Sequence, residues 1–439
     1  MSDLERTLRR RWWVLLPAAA LYFVSYFHRI APGVVAEDLM RAFGIGAAAL
    51  GTLAAIYPYV FVAMALVGGS LADTLGPRFT LVGSAAGMGV GALVFGRAPT
   101  FEVAVLGRLL VGLGASVCLI AFLALAARWV RPDEFATVSG LSQAIGNLGG
   151  LVAAAPLALL VEAIGWRGSF ATIGVVTLAL GGLALVVVRD RPQALGLPSL
   201  ESVPAPVPTL RAVVAGIPGV VFNPRSWPPI LAAGAMYSTL LAVQALWGVP
   251  YLVQVHGLSR VEAAGHVTLV AVGLIVGAPF VGRLSDRWFG RRRRPFALLA
   301  GLYAACWLPL VVPGLTPPPA ALPTLFLALG FTASGLVLVW SCVREVNDPA
   351  RVGIVIGFCN APIFLLFALM QWVTGLVLDA GWAGALAGGL RVYPPGAYRT
   401  VFALCLGVAL GGLALTAAVT ETRCRNIWHL AAVEPAGRP

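Results

Sequence analysis

The sequence predicts an all-α membrane protein of twelve transmembrane helices in two pseudo-symmetric six-helix bundles. Of 439 residues, 59% are apolar and 11% are charged, and the mean hydropathy is +0.90. A soluble domain carries about 25% charged residues. Apolar runs of eighteen or more residues recur along the chain, each long enough to cross roughly 30 Å of hydrocarbon. Two landmarks also repeat between the halves. A β-barrel is excluded, because its strands would read as short segments of alternating hydrophobicity.

The apolar segments fall in order at residues 12–36, 47–69, 78–97, 100–127, 136–160 and 168–188, then at 228–253, 262–282, 295–313, 321–343, 352–378 and 399–419. An even number of passes puts both termini on one side, and the placement of arginine makes that side the cytoplasm. The net charge is +12 and no lysine occurs. Most arginines lie in segments that are cytoplasmic if the N-terminus is inside, as the positive-inside rule requires. That placement reads the basic balance as topology in a cell inner membrane, not as nucleic-acid binding. The start, Thr7 to Trp13, looks like an export signal, but its apolar stretch is too long and runs straight into Arg29, so an uncleaved first helix is expected.

Residues 1–188 form the first predicted bundle, 228–419 the second, and 420–439 a cytoplasmic tail. Residues 189–227, with Pro192, Pro198, Pro204, Pro206, Pro208, Pro218 and Pro224, read as a cytoplasmic linker, since proline at that density does not sustain a helix. Gly69-Ser-Leu-Ala-Asp73-Thr-Leu-Gly-Pro-Arg78 follows the second segment, and Gly282-Arg-Leu-Ser-Asp286-Arg287 followed by Gly290 and Arg291 to Arg294 follows the eighth. Trp166-Arg167-Gly-Ser-Phe170 precedes the sixth segment, as Tyr398-Arg399-Thr-Val-Phe402 precedes the twelfth. Two landmarks in register indicate an internal repeat, the usual build of a transporter with its site near the midplane.

This pattern resembles the major facilitator superfamily over essentially the whole chain. The paired loop motif is its most specific marker, with Thr74 where a basic residue is common. Arg108-Leu-Leu-Val-Gly-Leu-Gly114 in the fourth helix and Trp129 to Glu134 after it also fit. Tyr26-Phe-His28-Arg29, with its spacing to Phe43-Gly-Ile45, resembles the organic anion–cation symporters and organophosphate antiporters. There the resemblance implies that Arg29 receives a carboxylate or phosphate. The chain departs from that pattern at His28, where an acidic residue is common, and at Ala115, where a glutamate is common. Its seventh helix offers Tyr237, Gln244 and Trp247 where the antiporters carry a second arginine. The fifth-helix signature of drug–proton antiporters is not kept: Gly146-Asn147-Leu-Gly-Gly150 is followed by proline only at Pro156. The paired arginines of nitrate carriers in the second and eighth helices are absent, and Tyr57 and Tyr59 stand in the second.

Residue chemistry supports the same assignment. A charge in mid-helix costs about 2.5–3.5 kcal/mol on insertion scales, so Arg29 needs a role. Its guanidinium stays charged and offers five donors in a planar fork suited to an oxyanion; the alternatives are a cap on carbonyls near Pro32 or snorkelling to the interface. The expected substrate-binding residues are Arg29, Tyr26, Tyr57, Gln143, Asn147, Gln244, Trp247 and Asn360. Gln244 and Trp247, one turn apart, come first among the polar set, and Gln371 joins it as either a contact or a helix cross-link. Expected proton-coupling or gating residues are His28, Arg108, Asp73, Arg78, Asp286 and Arg287. Imidazole titrates near physiological pH, so His28 is expected either as a proton carrier or as a merely hydrogen-bonded histidine, and Arg108 serves either proton handling and gating or a structural ion pair with Glu102 or another acidic group. Asp73 and Asp286 are read as carboxylates facing a neighbouring helix N-terminus, supported by Arg78 and Arg287. Glu37 and Asp38 are expected near the outer mouth.

No metal or cofactor is expected. The six cysteines, Cys118, Cys306, Cys342, Cys359, Cys405 and Cys424, have no CxxC spacing. No P-loop or clustered acidic motif points to an ATPase or another enzyme. The expected function is secondary transport by alternating access of a small organic anion, as proton-coupled uptake by a monomer. Proton-driven efflux of amphipathic compounds and a non-transporting membrane sensor are the alternatives.

Overall fold

The computed structural model describes residues 3–64, 71, 74–131, 134–200, 218–315, 317–349 and 352–431. The described residues are almost entirely helical, as the apolar runs require: in hydrocarbon each backbone N–H and C=O must be bonded within its own segment. In order the helices are α1 (Asp3–Ile30), α2 (Ala36–Phe43), α3 (Ala47–Met64), α4 (Gly76–Gly96), α5 (Phe101–Trp129), α6 (Phe135–Val152) and α7 (Ala155–Val187). After the linker come α8 (Trp227–Ala242), α9 (Gly248–His256), α10 (Arg260–Arg283), α11 (Arg293–Val311), α12 (Leu322–Ala333), α13 (Leu338–Glu345), α14 (Val352–Ala380), α15 (Pro395–Thr416) and the short α16 (Trp428–Ala431).

Among the described residues, eleven helical stretches are long and apolar enough to cross a membrane. The longest, Ala144–Val187, has 44 residues and holds the fifth and sixth passes in one run. At about 1.5 Å per residue it is twice as long as one crossing needs. Gly165, at φ 71° and ψ 164°, breaks it where the chain reverses.

Two compact units result. The first holds residues 1–45, 52–207 and 260–264; the second holds 46–51, 208–259 and 265–439. Of the expected linker, residues 201–217 lie outside the described ones.

In the first unit, α4 and α5 meet backbone to backbone. A Cβ added at Gly107 would lie 2.7 Å from the Phe95 nitrogen, and one at Gly91 would lie 2.6 Å from the Val111 nitrogen. Ser84 then reaches across to donate to the Gly114 carbonyl at 2.7 Å. Close approach through small residues is how helices gain packing where lipid removes the hydrophobic drive between them. The Arg167 landmark secures the turn between α4 and α5 by donating to the Ala98 carbonyl at 3.0 Å. Asp190, beyond α7, accepts the Arg78 N–H at the start of α4 at 2.8 Å.

In the second unit the α8–α9 pass is continuous but widens into a π-turn at Val243–Trp247. Between α14 and α15 lies an unanticipated two-stranded hairpin, β1 (Leu386–Ala387) and β2 (Leu390–Arg391), turned by Gly388 and Gly389 with positive φ. Glycine pairs suit such turns because both central residues need positive φ. The hairpin brings Arg391 beside Asp379 at the end of α14, with an Nη1–Oδ1 distance of 3.3 Å. Asp379 also accepts the Tyr393 hydroxyl at 2.6 Å and the N–H groups of Ala47 and Ala48 at 3.0 and 2.8 Å. The first turn of α3, which belongs to this unit, is thus capped by a carboxylate distant in sequence, satisfying N–H groups that a helix start leaves open.

Two substitutions test this packing. Gly107→Val should cost at least about 1–3 kcal/mol, because the added carbons meet backbone that cannot rotate away. Asp379→Ala should cost about 0.5–2 kcal/mol, as for a lost helix cap. Both are measured as a lowered melting temperature of the purified protein in detergent.

Candidate functional site

The site is built on α1. Small residues let the neighbouring helix close on it: a Cβ at Gly146 of α6 would lie 2.8 Å from the Tyr26 ring and 3.1 Å from that of Tyr22. Tyr22 and Tyr26 pack edge to face, with centroids 5.3 Å apart. One turn on, Arg29 lies with its guanidinium carbon 4.0 Å from the Tyr26 ring, 5.7 Å from Tyr57 and 5.4 Å from Phe61. Tyr57 and Phe61, stacked at 5.0 Å, come from α3. The Tyr57 hydroxyl donates to the Ser25 carbonyl at 2.9 Å, which fixes the ring against α1. Arg29 is 5% exposed. Aromatic faces are a chemical answer to a buried cation, worth about 2 kcal/mol each when desolvated.

A second arginine joins the same wall. Arg108 of α5 is 4% exposed, and its guanidinium carbon is 4.9 Å from the Tyr57 ring. Nη1 donates to the His28 carbonyl at 2.6 Å. Glu102, one of its expected partners, is exposed, and among the described residues no carboxylate pairs with Arg108. His28 is fully buried, and neither ring nitrogen has a hydrogen-bond partner among the described residues. The structure therefore brings Tyr26, His28, Arg29, Tyr57 and Arg108 together within the first unit.

The other expected residues are distributed more widely. Asn147 is half-buried on α6, while the side chain of Gln143 lies outside the described residues. In the second unit Gln244 and Trp247 are buried in the π-turn. The Trp247 indole is committed to a hydrogen bond with Thr374 Oγ1 at 2.9 Å. Gln371 donates to the Leu241 carbonyl at 3.1 Å. Both link the seventh pass to α14, and Asn360 lies half-buried on the same helix.

The sequence of this chain matches the family model described as Major Facilitator Superfamily over residues 18–361 and 248–435. The chain belongs to that superfamily. The probable sulfoacetate transporter SauU of Cupriavidus necator is 24% identical over 66% of this chain and 68% of its own. The membrane sensor protein UhpC of Escherichia coli is 25% identical over 87% of this chain and 90% of its own. Among solved structures, a bacterial homologue of the human lysosomal transporter Spinster, inward-facing and unoccupied, is 18% identical, with a TM-score of 0.72 over 96% of this chain and 97% of that one. The protein is thus a multi-pass secondary transporter of the superfamily and not an enzyme.

The carboxylate of the superfamily's loop motif is described in the second copy only, since Asp73 lies outside the described residues. Arg78 of the first copy donates through Nε to the Leu185 carbonyl at 3.0 Å, joining the start of α4 to the end of α7. In the second copy Asp286 pairs with Arg292, from the motif's own arginine run, while Arg287 is exposed. Arg292 also binds Glu345, with Nη2 to Oε1 at 2.6 Å and Nε to Oε1 at 3.0 Å. Thr422 of the tail donates to the other carboxylate oxygen. Burial works against the charged Arg292 side chain, but its hydrogen bonds to Glu345 and Asp286 more than offset this and hold its pKa above the ordinary arginine value.

Glu345 and Thr422 were not anticipated from sequence; the only signal was a glutamate just past an apolar run. Removing one partner strands a buried charge, at a cost of about 3–5 kcal/mol. Arg292→Ala should therefore abolish a monodisperse peak in detergent size-exclusion chromatography, whereas Arg287→Ala should leave the peak intact.

Proposed function

We propose that this transporter carries a small organic anion, a carboxylate or phosphate ester, into the cell, with protons as the coupling ion. The observation that carries this is the buried Arg29 guanidinium, lined by the faces of Tyr26, Tyr57 and Phe61. Aromatic faces balance part of its charge and leave the planar donor fork suited to an oxyanion. The resemblance of the first helix to organic anion carriers supports this reading. So does the likeness to SauU, whose name gives an organic anion as its substrate.

Inward movement of an anion runs against an inside-negative potential by about 2.3 kcal/mol per charge per 100 mV, and a co-transported proton offsets it. His28, next to Arg29 and without a hydrogen-bond partner among the described residues, is the group we assign to the proton. The protein works in the inner membrane with both termini in the cytoplasm, consistent with the arginine distribution.

Thermal-shift screening of carboxylates, organophosphates, sugars and amino acids against the purified protein tests the substrate class. Anions should raise the melting temperature of the wild type and not of folded Arg29→Gln; stabilisation of both by neutral or cationic compounds alone would reject it. Uptake of the stabilising anion into proteoliposomes then separates transport from sensing. An inwardly directed proton gradient should accelerate uptake in the wild type, and His28→Gln should remove that acceleration while retaining anion binding. C-terminal reporter fusions should be active only in the cytoplasmic format.

A further inference from the structure

We propose that Arg108 is a second cation of the anion site and sets its specificity. The preferred solute then carries two anionic groups on a short skeleton, such as a dicarboxylate, sulfocarboxylate or phosphocarboxylate. This rests on the reading of Arg29 as the anion's first contact.

The observations concern Arg108 itself. It is buried, and one carbonyl, that of His28, takes a single hydrogen bond from Nη1 at 2.6 Å. Its Nε has no hydrogen-bond partner, and no carboxylate pairs with it among the described residues. A guanidinium has five N–H donors, so one carbonyl and one ring face leave most of its hydrogen-bonding capacity unused. A structural tie between α5 and α1 requires a donor but not a full positive charge.

Its position gives the charge a use. The Tyr57 ring lies 4.9 Å from the Arg108 guanidinium carbon and 5.7 Å from that of Arg29, and its hydroxyl is held by Ser25. Two like charges thus share one fixed aromatic wall and repel each other. A single carboxylate neutralises one of them. A solute with two acidic groups neutralises both and removes that repulsion. His28, beside Arg29 on α1, is buried with both ring nitrogens unbonded, and among the described residues no carboxylate pairs with Arg108.

The test compares malonate and sulfoacetate with acetate and methanesulfonate, read as dissociation constants from thermal shift of the full-length protein. The wild type should bind the doubly charged pair at least about tenfold more tightly than the singly charged pair. Arg108→Gln should lose that preference, binding malonate and sulfoacetate no more tightly than acetate and methanesulfonate. Arg108→Lys, which keeps a donor for the His28 carbonyl and a charge but not the fork, should lose part of it. Arg29→Gln should lose all four anions.

If Arg108→Gln weakens all four equally, or none, while Arg29→Gln abolishes binding, Arg108 is a helix tie and the proposal is wrong. If Arg29→Gln binds all four normally, the underlying anion-site reading has failed instead. A wild type without the twofold-charge preference overturns the proposal even if Arg108→Gln does not fold.

Discussion

A buried guanidinium in the last turn of α1 is the constraint on which the first unit is organised. Arg29 cannot lose its proton and cannot reach water without leaving its place on α1, so its surroundings must carry its charge. They do so with ring faces. Tyr26 comes from the same helix one turn back, and Tyr57 and Phe61 come from α3. Each placement depends on another packing event. Tyr26 holds its position because α6 presents Gly146 where any side chain would strike the ring. Tyr57 holds its position because its hydroxyl is bonded to Ser25. The glycines of this chain are thus part of the site's chemistry as well as of its packing.

The loop motif of the second unit reaches beyond its own loop. In the second unit the motif's carboxylate, Asp286, is bound by an arginine of the same loop, and that arginine also neutralises Glu345 at the end of α13. Thr422, beyond the last long helix, completes the cluster. The tail is therefore fastened to the loop through a buried charge, a link a helix-by-helix reading does not contain. A buried pair of this kind adds little net stability over an apolar filling, but it tolerates the loss of neither partner. It ties α11, α13 and the tail into one arrangement.

Hydrophobic length carried most of the fold, because a segment that must satisfy its own backbone in lipid has few choices besides helix. The gap read between the segments 136–160 and 168–188 holds Gly165, a residue that takes positive φ without strain and that interrupts the longest helical run. The hairpin at Leu386–Arg391 was visible as Gly388-Gly389 but sits between passes, where no apolar period draws attention to it. Asp379 escaped notice for a different reason. Its partners are the Ala47 and Ala48 N–H groups, and nothing in the side chains of two alanines announces a helix start in need of a carboxylate.

The polar residues of the passes show why residue type alone under-determines a site. Trp247 and Gln371 have the chemistry of substrate contacts, yet both are engaged with α14 or the seventh pass, Trp247 through Thr374 and Gln371 through the Leu241 carbonyl. A neutral polar group can be held by one nearby helix without a counter-charge, even where, as at Gln371, Oε1 has no partner among the described residues. A guanidinium cannot, because it brings a net charge and five donors. Arg108 shows the difference, since its bond to the His28 carbonyl leaves Nε unpaired and its charge unmatched among the described residues. In a membrane interior, the surplus left after local partners are counted separates a binding group from a packing group. Among the described residues, the unpaired Nε of Arg108 is part of such a surplus.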